Sequence, residues 1–78
     1  MDAIPVLLPG QTLQDARSMI EEVCSFRTAE TNLIIEDCRA YYGDKASIMV
    51  AWFGMDAWFE GEDASKAKWA TVLKHMIQ

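Results

Sequence analysis

Two cysteines, one histidine and three pairs of adjacent acids are the side chains from which a reaction could be assembled. A thiol becomes a nucleophile when a neighbouring imidazole takes its proton. Cys24 and Cys38 both fall on apolar stripes, where burial raises a thiol pKa and makes it inert. Pairing either with His75 would require the end of the chain to close over it, and no local motif supports that closure. The three residues together fall short of a four-ligand zinc site. Glu21-Glu22, Glu36-Asp37 and Glu62-Asp63 are sequence neighbours, so on a helix the two members of each pair diverge by about 100°. Their expected place is solvated surface. We therefore expect no catalytic residue, metal or cofactor.

Phosphate and nucleic-acid sites are equally unsupported. Gly10, Gly43, Gly54 and Gly61 are isolated, and none belongs to a phosphate-binding loop. Lys66, Lys68 and Lys74 share a helix without sharing a face, so they form no basic patch. Twelve acids against seven bases leave a net charge of −5. That balance repels nucleic acid and anionic lipid, keeps an apolar-rich chain soluble, and suits a basic protein surface. Strict imitation of DNA is disfavoured, because the bases are interspersed among the acids.

The aromatic residues carry the remaining signal. Trp52 and Trp58 lie some 120° apart on a helical wheel, too far for one intramolecular neighbour to cover both. Tyr41 and Tyr42 also diverge, so one of them reaches the surface. Trp and Tyr at a desolvated surface are the usual anchors of protein interfaces. The expected partner-binding set is Trp52, Trp58 and Tyr42, with Asp56 and Glu60 as the acids beside them.

These side chains depend on the stretch from Asp44 to Gly61, DKASIMVAWFGMDAWFEG. Read as a helix, it aligns Ala46, Val50, Gly54, Ala57 and Gly61 on a narrow strip where another helix could approach closely. The opposite side carries Ile48, Ala51, Trp52, Met55 and Phe59. Only a wedge with Lys45, Asp56 and Glu60 suits water, so the expectation is an almost fully buried helix. The rival is a hairpin, Ala51-Trp52-Phe53 and Ala57-Trp58-Phe59 joined by Gly54-Met55-Asp56. Few β-branched residues, many Ala and Met, and no clean alternation favour the helix.

Elsewhere, Thr12-Leu13-Gln14-Asp15 is a helix start signal. Leu13, Ala16, Ile20, Val23 and Cys24 form the inner stripe that follows, with Gln14, Arg17, Ser18, Glu21 and Glu22 outside. Thr28 or Thr31 is placed to cap a second helix, although one long bent helix is also open. Ile34, Ile35, Cys38, Tyr41 and Tyr42 recur at helical spacing before Gly43, a helix stop. Asp44 is placed to cap the central helix and Gly61 to end it. A last helix opens at Glu62-Asp63 and buries Trp69, Val72, Leu73, Met76 and Ile77. Residues 1–10, interrupted by Pro5 and Pro9, read as an extended arm.

The expectation is an all-α chain forming one domain over residues 1–78. Residues 12–77 make a compact four-helix bundle, and residues 1–10 an arm lying across it or across a neighbouring subunit, with a short edge strand as the alternative. The alternative is helices packed on a small antiparallel sheet. With no export leader, no apolar run of the ~20 residues needed to span a membrane, and no paired-cysteine motif, the expected location is the cytoplasm. At 78 residues, 51% hydrophobic, the chain holds more apolar material than a small bundle hides easily. This points to a non-enzymatic interaction module, an accessory subunit or inhibitor docking on a larger protein. Self-assembly into a homo-oligomer is the alternative. An inhibitor of host nucleic-acid machinery carried by a mobile element is a further one.

Overall fold

The computed structural model describes Leu7 and residues 10–77, and among these residues the regular structure is entirely helical. Helix α1 spans Leu13–Val23, α2 Thr31–Tyr42, α3 Ala46–Phe59 and α4 Asp63–Ile77. The hairpin and the helix-on-sheet alternative are thereby excluded for the described residues. Apart from Leu7, half-buried against the core, and Gly10, the arm lies outside them.

Helix α1 starts where its sequence signal places it. The Asp15 amide donates to Thr12 Oγ1 (3.1 Å), and the Thr12 amide donates back to Asp15 Oδ2 (3.3 Å). This reciprocal pair satisfies two otherwise orphaned N–H groups. The helix ends in a Schellman turn: Phe26 N–H reaches the Glu21 carbonyl (2.9 Å) and Ser25 N–H the Glu22 carbonyl (3.3 Å). Ser25 takes the left-handed conformation this turn requires, at φ 53°. The chain therefore breaks between α1 and α2, and the single bent helix is excluded. Neither Thr28 nor Thr31 caps α2, whose N-cap is Glu30 without a side-chain bond. Thr28 Oγ1 instead donates to the Ser25 carbonyl within the turn (3.3 Å).

Helices α2 and α3 are joined by a 3-10 turn, Gly43–Lys45, with no intervening loop. The residue before α3 is Lys45, and no side chain caps that end, so Asp44 does not act as the cap. Helix α3 closes in a second Schellman turn. Gly61, at φ 75°, donates to the Trp58 carbonyl (3.1 Å), and Glu62 to the Ala57 carbonyl (2.9 Å). Glycine reaches that backbone region without the steric cost Ser25 incurs.

The core joins Ala16, Ile20 and Cys24 of α1 and its end, Ile34, Ile35, Cys38 and Tyr42 of α2, and Trp69 and Val72 of α4 to the inner side of α3. That inner side consists of Ala46, Met49, Val50, Phe53 and Ala57. Three of the five come from the small-residue strip, which does the close packing expected of it: a Cβ built on Gly54 would lie 3.6 Å from Trp69 Cβ. The aromatic centre is Trp69, stacked on Phe26 (centroids 4.3 Å, planes 23° apart) and tilted against Phe53 (5.2 Å).

Helix α3 is not the nearly fully buried rod its composition implies. Ile48, Met55 and Phe59 are exposed, and Ala51 and Trp52 are half-buried. An all-apolar helix has no polar face to mark which side turns outward. The side with small residues wins the core, because α4 can approach it more closely. On the other helices, Val23 and Ile77 are also exposed, while Leu73 and Met76 are half-buried.

Candidate functional site

Two features stand apart from ordinary core packing. The first is a buried arginine. Arg17 follows Ala16 on α1, one turn before Ile20 and two before Cys24, and this register carries it inward. Its residue exposure is 2%, so the expectation that it lies outside is wrong. The guanidinium makes four hydrogen bonds to three carboxylates. Nε donates to Asp56 Oδ2 on α3 (2.7 Å) and Nη1 to Glu21 Oε2 one turn along α1 (3.0 Å). Nη2 donates to Glu62 Oε2 in the turn before α4 (2.9 Å), and Nη1 reaches Glu62 Oε1 at 3.4 Å. Glu21 Oε2 also accepts from the Trp69 indole N–H (2.8 Å).

One planar fork thus holds three carboxylates from three segments, a geometry that a lysine ammonium does not reproduce. Hydrogen bonding to Glu62 foremost raises the Arg17 pKa, so its charge is permanent. The same bond is the main reason the Glu62 carboxyl titrates below its usual value. The cluster ties α1 to α3 and to the turn before α4. Among the described residues no group of three or more His, Cys, Asp or Glu is placed to hold a metal ion. The three acids that do converge surround a guanidinium. The signal for this cluster lay in the Arg17–Glu21 spacing of four on the edge of an apolar stripe, but the other two acids sit about forty residues away.

Cys24 and Cys38 are buried free thiols. Burial pushes both upward, Cys38 to about 12, away from the thiolate form. His75 is exposed on α4 with Nδ1 2.9 Å from the Thr71 carbonyl oxygen.

The second feature is the outer face of α3. Ile48, Trp52, Met55 and Phe59, at spacings of four, three and four, run down one line of the helix and are exposed or half-buried. Phe59 is 72% exposed, and Trp58 beside it 58% (ring centroids 5.0 Å apart). Trp58 also borders an apolar groove of about 270 Å³ between α3 and α4, floored by Ala51, Gly54, Ala70 and Leu73, with Lys66 at its rim. No charged residue interrupts this surface along α3.

The residues expected to bind a partner divide accordingly. Trp52 and Trp58 lie on this face, and Glu60 is exposed at the end of α3. Asp56 is already held by Arg17. Tyr42 is in the core, four residues after Cys38 and 5.9 Å from the Phe53 ring, so the surface tyrosine is Tyr41. Among the described residues no helix is long and apolar enough to cross a membrane.

A family model described as Y4oE matches residues 7–76, and the chain belongs to that family. No curated protein and no solved structure matches it.

Proposed function

We propose that this Y4oE-family chain is a cytoplasmic, non-enzymatic interaction module, a compact four-helix bundle whose working surface is the outer face of α3. The observation that carries this reading is the uncharged line Ile48–Trp52–Met55–Phe59, flanked by Trp58 and left in water by a chain that had smaller residues to expose. Exposed apolar surface of this extent normally exists to be covered. Trp52 and Trp58 are the anchors, and Glu60 supplies an acid at the edge. The net charge of −5 steers the module towards basic protein surfaces and away from nucleic acid and anionic lipid. That surface supports docking as an accessory subunit or inhibitor, and no reaction is assigned.

The test is chemical crosslinking in source-cell lysate from a photoreactive residue at position 55, compared with one at position 36 on α2. A protein captured from position 55 alone, and lost on Phe59→Asp with the melting temperature preserved, supports the reading. Capture that ignores the position of the probe, or survives Phe59→Asp, removes α3 from the interaction.

A further inference from the structure

We infer that the groove between α3 and α4 is a binding site for a small amphipathic carboxylate of the medium-chain fatty-acid class, its head at Lys66 and its tail along the seam towards Leu73.

Side-chain size builds the recess. Ala51, Gly54 and Ala70 keep the floor low, while Met55, Trp58 and Leu73 stand up around it. Its volume of about 270 Å³ lies at the lower edge of the ~300–1,000 Å³ of small-molecule pockets. Helices α3 and α4 are joined by the short turn at 60–62 and pack against each other. The residues nearest that turn, Trp58 and Lys66, therefore mark one end of the groove, and Ala51 and Leu73 the other. The two turns of α4 from Lys66 to Leu73 cover about 10 Å, the reach of a short extended alkyl chain.

Charge selects the head group. Among the described residues lining the groove, Lys66 alone is charged. Its ion pair with Asp63 spans 3.9 Å, longer than a hydrogen bond, to a side chain that is 90% exposed. A carboxylate entering the groove displaces so weak a pair at little cost. Of the other acids around that end, Glu62 is bound to Arg17, and Glu60 is exposed at the end of α3 without lining the groove. A cationic amphiphile would meet Lys66 where it needs an acid. A sugar or nucleotide would find one cation and a floor almost without hydrogen-bonding groups.

Titration calorimetry of the full chain with octanoate, octylammonium and 1-octanol, each as monomer in solution, tests the assignment, and amide NMR locates the ligand. Octanoate is expected to bind saturably, one per chain, and to shift the Gly54 and Ala70 amides. Lys66→Met should weaken octanoate about three- to five-fold and leave 1-octanol unchanged, a difference that loss of packing alone would not produce. Ala70 is exposed, so Ala70→Phe fills the groove without entering the core and should abolish binding of both while unfolding stays cooperative. No saturable octanoate binding below about 3 mM overturns the inference. So does octylammonium binding as tightly as octanoate, indifference to Lys66→Met, or binding that survives Ala70→Phe. Titration of the isolated chain and crosslinking in lysate read separate events, so either can fail alone, although Met55 and Trp58 belong to both surfaces.

Discussion

Arg17 and Asp56, thirty-nine residues apart in the chain, meet through a 2.7 Å bond from Nε to Oδ2 with the arginine side chain 97% withdrawn from water (3% exposed). Such a bond ties α1 to α3 and makes the two helices energetically dependent. It also leaves three acids relying on one cation.

Removing that cation should be strongly destabilising. Arg17→Met, which keeps the aliphatic volume, is expected to cost about 3–5 kcal/mol, since it strands partly buried carboxylates against one another. Combining it with Asp56→Asn and Glu62→Gln should recover a large part of the loss, because neutral partners no longer repel. Urea unfolding of the single and triple variants checks this. Additive losses would show that the three groups act independently.

The cluster also makes stability depend on acid. Glu62 titrates below its usual value of 4.5 when folded. Its contribution is therefore complete above the unfolded pKa and disappears as pH falls through the lower, folded one. The melting temperature should decline as pH drops below about 4.5, and more gently in Glu62→Gln. Arg17 adds no slope there, because it stays charged in both states. Melting curves between neutral and strongly acidic pH provide the measurement.

Ser25 occupies backbone space that suits glycine. Ser25→Gly should stabilise the chain by about 1 kcal/mol, since the left-handed region costs a residue with a Cβ roughly that much. The extra freedom glycine brings to the unfolded chain makes this an upper figure. A lower melting temperature in the variant would show that the Ser25 side chain contributes more than its backbone strain costs.

Two positions on the inner strip of α3 should respond in opposite directions. Gly54→Ala places a methyl 3.6 Å from Trp69 Cβ, an ordinary contact. Replacing an interior helix glycine should then gain about 0.5–1 kcal/mol. Ala57 is fully buried, so Ala57→Leu overpacks the core and should cost about 1–3 kcal/mol. Chemical denaturation of both variants distinguishes close packing from a merely small surface.

Local signals are legible in the residues alone. The Thr12–Asp15 capping box, the stops at Gly43 and Gly61, Ile34, Ile35 and Cys38 of α2, and Trp69 and Val72 of α4 lie where spacing places them, whereas Tyr41 of the same α2 stripe is exposed. Each depends on neighbours within a few positions, and such rules act before any tertiary contact forms. The all-α class follows from the same kind of evidence.

Tertiary structure decided what spacing leaves degenerate. Which side of α3 turned inward depended on which side let Trp69 approach Gly54, and that choice put Met49 and Phe53 in the core and left Ile48, Met55 and Phe59 in water. Arg17 reads as a surface cation because two of its three acids, Asp56 and Glu62, lie on distant segments. The guanidinium can be buried only where Glu21, Asp56 and Glu62 converge on it, and that convergence exists only once α1, α3 and the turn before α4 are packed together.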